Sequence, residues 1–216
     1  MDLAHVGPGT CALEIGCGGG GLLKKLAAHG ACAVGVDTLE TALTLAQSRG
    51  VQLPRGQKQT RASDVHPIAL LGCVQIGGNS PLPFRDGSFN AIIGQHVIEH
   101  LRDVEQALCE WARVLQPGGR LALATPNARY PDPAHFADSD HAHIYDPNEL
   151  CEVLERNGFA VQAFFTAFPY LTHYRLLRAF GVIAHRLFQS TPYFASRGRT
   201  ILVAATKVQA TVKIPV

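Results

Sequence analysis

A glycine-rich stretch near the start of the chain, LEIGCGGGGLLKKL over residues 13–26, is the first place where residue type and spacing suggest chemistry. An apolar run precedes the glycines and a helical pattern follows them, which indicates a turn between a buried strand and a helix. Glycines in such a turn let the backbone approach a ligand closely. Gly16, Gly18 and Gly21 fit the GxGxxG spacing. The first two glycines with Gly20 fit GxGxG instead, so the spacing alone leaves the kind of nucleoside ligand open.

Two carboxylates flank this turn and narrow the choice of ligand. Glu14 lies two residues before the first glycine, where dinucleotide-binding enzymes normally carry an apolar residue. Asp37 ends the next predicted strand about 20 residues after Gly16, where a carboxylate can accept hydrogen bonds from both ribose hydroxyls. The glycine turn holds no basic residue to meet a phosphate. This pattern favours a cationic nucleoside, and S-adenosylmethionine fits because it combines a sulfonium and an ammonium with ribose and adenine.

A second cluster, HVIEH, places His96, Glu99 and His100 at positions i, i+3 and i+4, so a helical segment would present all three on one side. The string matches the inverted zinc-protease pattern, but it follows a strand and does not occupy a long helix. The simplest interpretation is a strand-to-helix turn in which Glu99 caps or pairs and His100 packs. One alternative is a divalent metal held by the three side chains, an N/O/N set that suits zinc-like ions. Direct catalysis is another.

A third cluster, HFADSDHAHIYD over residues 135–146, follows a predicted strand and would lie over the sheet edge where such folds bind ligands. A neutral histidine there can take a proton from a phenol, hydroxyl or amine as a methyl group arrives. We predict His143 as the first candidate base, ahead of His141, with His100 third. Methyl transfer depends more on the alignment of nucleophile, methyl and sulfur than on a base, so a base is not obligatory.

Size and composition indicate one soluble globular domain over residues 1–216, with 47% hydrophobic and 17% charged residues. The formal net charge of +2 is too small to indicate nucleic-acid binding, and no uncharged apolar run reaches membrane-spanning length. Six cysteines without a CxxC pair, and no signal-peptide pattern, predict reduced thiols in a cytoplasmic protein.

The elements that would position these residues alternate between strands and helices, which predicts an α/β fold with a mainly parallel sheet covered by helices on both faces. Thr38 is the predicted N-cap of the second helix. We interpret about 51–72 as an irregular insertion and about 170–198 as a partly helical insertion before a final, antiparallel edge. The predicted strands are 11–16, 32–37, 89–95, 120–126, 160–168 and 199–208, and the predicted helices 21–30, 38–50, 103–119 and 147–159.

Taken in order, several motifs make the chain similar to class I S-adenosylmethionine-dependent methyltransferases, in the subgroup of the ubiquinone and menaquinone biosynthesis enzymes. LEIGCGGG resembles the first motif of that family and VGVD the second. LPFRDGSFNAIIGQHVIEHLRD, ARVLQPGGRLALATPN and HIYDPNELCEVLERNGF resemble later segments. The resemblance covers about residues 10–168. It implies a Rossmann-like, doubly wound sheet of seven strands in the order 3-2-1-4-5-7-6, with only the seventh strand antiparallel.

Site residues carried over from the resemblance lie in three groups. Glu14 and the three glycines of the GxGxG spacing would surround the methionine part of S-adenosylmethionine. Asp37 would hold the ribose with Thr38 beside it, and Gln95 and His96 would lie under the sulfonium. In quinone-pathway O-methyltransferases an ExxEH cluster associated with a divalent metal occupies the place of HVIEH.

Two departures from the family pattern affect the cofactor site. The usual aspartate that bonds the adenine amine is missing, and spacing favours Gly78 and Asn79 in its place over Asp64. Relatives generally carry a helical segment before the first strand, whereas about nine residues precede it here. We therefore expect the cofactor site to be open or to be closed by something else.

The function that these observations predict is methyl transfer from S-adenosylmethionine to a small hydrophobic or aromatic acceptor, most readily at oxygen. The aromatic and basic segment 170–194 would border the acceptor, pack against the sheet or a dimer partner, or contact a membrane surface. Two rival functions are a non-catalytic protein that uses this fold to bind a partner, and a nicotinamide oxidoreductase. Glu14 disfavours the oxidoreductase.

Overall fold

A computed structural model describes residues 2–51, 71–75, 81–130, 139–167 and 198–208. Its seven strands form one sheet in the order β3-β2-β1-β4-β5-β7-β6, which confirms the predicted order. β7 runs antiparallel to both β5 and β6, and the other pairs are parallel. The strands are β1 Cys11–Ile15, β2 Cys32–Asp37, β3 Leu71–Gln75, β4 Phe89–Gln95, β5 Leu115–Pro126, β6 Phe159–Ala167 and β7 Thr200–Lys207.

Helices cover both faces of the sheet. α1 (Gly21–Ala28) and α2 (Glu40–Ser48) bury Leu23, Leu26 and Leu43 in one apolar cluster. On the opposite face, α3 (Val104–Val114) and α4 (Pro147–Arg156) contribute to a larger cluster around Trp111 and Leu154. β1 is buried along nearly its whole length because helices pack against both of its faces, as in parallel sheets generally. No helix in the described ranges is long and apolar enough to cross a membrane.

Three local predictions are wrong. The helix predicted over 103–119 ends at Val114, and the Pro-Gly-Gly sequence that follows lies within β5. The N-cap of α2 is Leu39, not Thr38, and it has no side-chain cap. β3 was not predicted as a strand, and the predicted irregular insertion about 51–72 includes its first two residues, which pair with β2. The part of that insertion over 52–70 lies outside the described residues.

Candidate functional site

The carboxyl ends of three neighbouring strands form the candidate site. β1 lies between β2 and β4 in the sheet, and all three run parallel, so their ends open to the same edge. Glu14 lies in β1 and Asp37 ends β2. Gln95 ends β4, and His96 follows it. The topology therefore brings four of the predicted cofactor-binding residues to one crevice, as expected at the ligand-binding edge of such sheets.

The glycine loop that follows β1 is shaped by left-handed backbone and by close neighbours. Gly16, Gly18 and Gly20 have φ angles of 67°, 48° and 69°, which other residues adopt only at a cost. A Cβ on Gly16 would lie 2.6 Å from Val97 Cγ2, and one on Gly20 would lie 2.7 Å from Val51 Cγ2. A Cβ on Gly18 would meet nothing within 4 Å. A Cβ on Gly19 would lie 2.6 Å from the Arg49 side chain, so the loop is packed at Gly16, Gly19 and Gly20 and open at Gly18.

Glu14 is a buried acid with unused hydrogen-bonding capacity. Its side chain is 4% exposed, and its Oε2 atom has no hydrogen-bond partner among the described residues. Burial raises the pKa of this carboxyl to about 8; a hydrogen bond from the Leu23 backbone N–H lowers it, and the nearby Asp37 charge adds to the rise. A cationic group reaching Glu14 would supply the missing interaction, so this position fits the charged end of a ligand such as S-adenosylmethionine.

Asp37 joins the glycine loop to the start of α2. Its Oδ2 accepts a hydrogen bond from the Gly18 N–H at 2.8 Å, and its Oδ1 accepts one from the Leu39 N–H at 2.9 Å. These two bonds fix the plane of the carboxylate, while each oxygen keeps a further lone pair. Thr38 and Leu39 are exposed beside it. The geometry suits a carboxylate that accepts two ribose hydroxyls.

His96 turns the chain away from β4 in a conformation that is unusual for a histidine. Its φ is 53°, and its backbone N–H donates to the Ala124 carbonyl at 2.8 Å. The His96 ring, half exposed, lies with Nδ1 3.1 Å from Glu99 Oε1, and this hydrogen bond raises the pKa of His96. The turn lies against the glycine loop, because the next residue is Val97, which touches Gly16.

Glu99 is the buried centre of this region. The residue is completely buried, and its Oε2 accepts a hydrogen bond from Thr125 Oγ1 at 2.9 Å. Burial alone would raise the pKa of Glu99, but the hydrogen bonds from His96 and Thr125 outweigh it and hold the pKa below its usual range. The Glu99 carbonyl also accepts the N–H groups of Ala142 and His143, at 2.7 and 3.0 Å. Glu99 therefore ties the end of β4 to β5 and to the loop after it.

The three histidines predicted as bases occupy different positions. His100 lies with Nδ1 3.0 Å from the Asp140 carbonyl, and its ring is 4.7 Å from that of His141. His143 Nε2 lies 2.7 Å from Glu149 Oε1, where Glu149 completes the capping box of α4. Its second contact is a T-shaped packing on Tyr145. His143 therefore supports the start of α4, whereas His100 and His141 form a pair beside Glu99.

The structure groups a different set of possible metal ligands from the predicted one, because His141 takes the place of His96 beside Glu99 and His100. Single donor atoms of Glu99, His100 and His141 lie within 4.8 Å of one another, whereas His96 directs Nδ1 to Glu99. His100 can donate its Nδ1–H to the Asp140 carbonyl and leave Nε2 as a ligand, which is a common arrangement for metal-binding histidines. Two imidazoles and a carboxylate would suit a zinc-like ion.

Some predicted residues cannot be placed, and one functional residue was missed. Gly78, Asn79 and Asp64, the candidates for adenine contact, lie outside the described residues, as does the segment 170–194. Thr125, which bonds Glu99 from β5, was not predicted. The only signal for it is a hydroxyl residue within the apolar run LALATP, and that signal does not name its partner.

Comparison with known proteins decides the family. The sequence profile of a family described as a methyltransferase domain matches residues 13–123, just over half of the 216 residues. The chain belongs to this family. The matched range contains the glycine loop, both flanking acids and the HVIEH turn. The cofactor of this methyltransferase family is S-adenosylmethionine, as predicted from the charge of Glu14.

Individual relatives agree with this assignment. A Mycolicibacterium smegmatis protein named "Probable S-adenosylmethionine-dependent methyltransferase" is 31% identical over 162 residues, which are 74% of this chain and 56% of that protein. The ubiquinone biosynthesis O-methyltransferase of Xanthomonas oryzae pv. oryzae is 31% identical over 137 residues, which are 63% of this chain and 48% of that protein. The methyltransferase chain thus spans about half the length of these relatives.

Solved structures share the fold. An S-adenosylmethionine-dependent methyltransferase from Mesorhizobium loti superposes with a TM-score of 0.66, covering 94% of this chain and 92% of that one. The two sequences are 19% identical, so this likeness concerns the architecture.

Proposed function

We propose that this methyltransferase domain transfers a methyl group from S-adenosylmethionine to a small hydrophobic or aromatic acceptor, at an oxygen atom. The observation that carries the proposal is the buried carboxyl oxygen of Glu14 that lacks a hydrogen-bond partner among the described residues, in the strand that leads into the glycine loop. A dinucleotide would bring a pyrophosphate to this loop, and its negative charge would face a buried acid. A cation satisfies Glu14 instead.

The cofactor supplies a methyl group on a sulfonium, which an acceptor oxygen can attack directly. The protein holds the cofactor at two points. Glu14 would receive its positively charged end, and Asp37, already oriented by two backbone N–H groups, would bind the ribose hydroxyls. Positioning of this kind supplies most of what an in-line displacement requires from the protein.

His96 is the histidine that we place nearest to the reacting groups. With Nδ1 bound to the buried carboxylate of Glu99, the His96 ring has a fixed orientation, and its other nitrogen is available to take the proton of an acceptor hydroxyl. A buried carboxylate in this position favours one tautomer and stabilises the imidazolium that forms. His143 forms a similar pair with Glu149, but it does so at the start of α4 and packs on Tyr145, whereas His96 lies at the end of β4 beside the glycine loop.

Oxygen as the methyl-accepting atom is supported by the relatives that carry it in their names, among them the Xanthomonas enzyme. A second candidate arrangement is favoured by the donor cluster of Glu99, His100 and His141, which would hold a divalent ion that binds the acceptor oxygen. Elemental analysis of the purified protein separates the two arrangements, since only the second requires a stoichiometric metal.

Calorimetric titration with S-adenosylhomocysteine and with NADH tests the proposed cofactor. We expect the first compound to bind and the second not to bind. A folded protein that binds neither compound, or only NADH, would overturn the proposal. If S-adenosylhomocysteine binds but no phenol or hydroxy compound in an acceptor panel is methylated, the partner-binding function gains support. In that case, co-crystals with candidate acceptors give the next test.

A further inference from the structure

Two cysteines stand side by side at the opposite edge of the sheet from the cofactor site. Cys11 begins β1 and Cys32 begins β2, and the two residues are direct partners in the parallel register of these strands. Adjacent strands are about 4.8 Å apart. That spacing lies within the range of about 4.4–6.8 Å that Cα atoms span in disulfides.

The backbone around the pair is fixed on both strands. The Cys11 N–H donates to Asn90 Oδ1 at 2.8 Å, and the Cys32 N–H donates to the Thr10 carbonyl at 2.9 Å. Asn90 is held in turn by Gln116, whose Oε1 accepts its amide N–H at 2.9 Å. Both thiols are therefore presented from ordered strand starts, not from mobile loops, and both are partly exposed.

The two thiols also interact with each other. The side chain of Cys32 is hydrogen-bonded to Cys11, and this bond lowers the pKa of the Cys11 thiol to about 7, against the opposing effect of burial. A substantial thiolate fraction at neutral pH makes Cys11 a nucleophile, with a second thiol within reach to resolve any adduct.

Three other cysteines whose side chains the structure describes lack this combination. Cys17 is buried in the glycine loop, and burial raises the pKa of Cys151. Cys109 is exposed on α3 and provides a natural comparison for accessibility alone.

We propose that Cys11 and Cys32 form a dithiol modification site that a low-molecular-weight disulfide oxidises to an intrachain disulfide. The Cys11 thiolate attacks one sulfur of the small disulfide, forms a mixed disulfide and releases one small thiol. The Cys32 thiol then loses its proton and attacks the Cys11 sulfur, which forms the intrachain bond and releases the second small thiol. Two protein thiols are oxidised and one small disulfide is reduced to two thiols, so atoms and electrons balance.

The test uses the reduced full chain with oxidised glutathione as the probe. Peptide mapping under non-reducing conditions should show a Cys11–Cys32 link that disappears on reduction. Iodoacetamide at neutral pH should alkylate Cys11 at least about tenfold faster than Cys109, because the thiolate is the reactive form. A persistent glutathione adduct on Cys11 without the link, or faster modification of Cys109, would overturn the proposal.

Two variants at one position separate reactivity from cross-linking. Cys32→Ser keeps a hydrogen-bond donor next to Cys11, so fast alkylation should persist while the link is lost. Cys32→Ala removes the donor as well, so alkylation of Cys11 should slow severalfold. Equal alkylation rates in the two variants would contradict the proposed role of Cys32. Thermal melting verifies that each variant is folded.

Discussion

The side chain that most constrains the ligand is Glu14, because it is both buried and incompletely hydrogen-bonded. A charged carboxylate in that position is costly unless a cation or further donors compensate it, and the raised pKa expresses that cost. Asp37 differs, since backbone N–H groups occupy both of its oxygens. In the proposed cofactor site, Glu14 therefore balances the charge of the ligand and Asp37 binds its ribose hydroxyls.

Proton release should accompany cofactor binding because of Glu14. Its pKa is about 8 in the free protein, and a bound cation would lower it, so affinity for S-adenosylhomocysteine should rise with pH up to about 8. The slope of this dependence should not exceed about a tenfold change in affinity per pH unit. Titration calorimetry in buffers of different ionisation enthalpy measures the number of protons released on binding. Glu14→Gln should abolish the slope, and an unchanged slope in that variant would refute the assignment.

Glu14 should also make the stability of the free protein depend on pH. Because the folded protein holds the Glu14 proton more tightly than the unfolded chain does, its contribution to stability falls as pH rises from about 4.5 to about 8. The difference in unfolding free energy between wild type and Glu14→Gln, measured by urea denaturation across this range, isolates the effect. A difference that is constant with pH would contradict it.

Removal of the Asp37 carboxylate, which is proposed to bind the ribose, should weaken cofactor binding strongly. Asp37→Ala leaves ribose hydroxyls and two backbone N–H groups without their acceptor, which should cost about 2 kcal/mol or more. Calorimetry with S-adenosylhomocysteine measures the loss. Glu40→Ala, which removes an exposed acid from the first turn of α2, controls for the change in net charge and should leave affinity nearly unchanged.

The His96–Glu99 pair should affect turnover more than cofactor affinity. His96→Asn removes the proposed base, and general-base catalysis typically contributes about 100-fold or more to the rate. Glu99→Gln keeps the shape but weakens the orientation of His96, so kcat should fall by a smaller factor. Once an acceptor is known, steady-state kinetics with calorimetry on S-adenosylhomocysteine gives both quantities. Affinity and kcat that fall in parallel would assign the pair to cofactor binding alone.

At the scale of the elements, the sequence predicted most strands and helices but misplaced several of their ends and did not predict β3. The Pro-Gly-Gly sequence after α3 is typical of a helix end, yet here it lies within β5. Leu115 before it pairs with Phe89, and Arg120 after it pairs with Ala91. Thr38 is a good capping residue by type, but Asp37 accepts the Leu39 N–H, so the helix begins one residue later than that cap would place it. Such outcomes depend on contacts between elements that local sequence does not encode.

Two glycines of the loop provide a matched pair for separating backbone strain from steric contact. Gly16→Ala places a Cβ against Val97 in a left-handed residue, whereas Gly18→Ala meets no neighbour in a similar backbone. Both should lose about 1–2 kcal/mol from the backbone conformation. Gly16→Ala should lose more, and Val97→Ala in the same chain should recover that excess. Thermal or urea unfolding of the free protein measures all three, and equal losses at the two glycines would contradict the contact.

At the scale of the whole molecule, the strand order predicted through the family resemblance is the observed order. This order brings Glu14, Asp37 and His96 to one edge of the sheet. The order could be predicted because alternating strands and helices are compatible with few topologies. The partners of Glu99 were beyond prediction. The bond from Thr125 depends on the pairing of β4 with β5, whereas the pairing of His100 with His141 depends on how the loop after β5 folds back. Two N–H bonds to the Glu99 carbonyl fix the path of that loop.

The junction between β6 and β7 has a practical consequence for protein engineering. A Cβ on Gly198 would lie 2.6 Å from the backbone of Ala167, so the last residue of β6 lies directly against Gly198, two residues before β7. Thr166 Oγ1 accepts the Gly198 N–H, and Asn127 donates to the Gly198 carbonyl, each at 2.6 Å. Thr166 and Asn127 therefore hold Gly198 beside Ala167, and the two ends of residues 168–197 are fixed next to each other. Grafting segments from relatives between these two ends, with Thr166, Asn127 and Gly198 kept, would test the expectation that residues 170–194 border the acceptor.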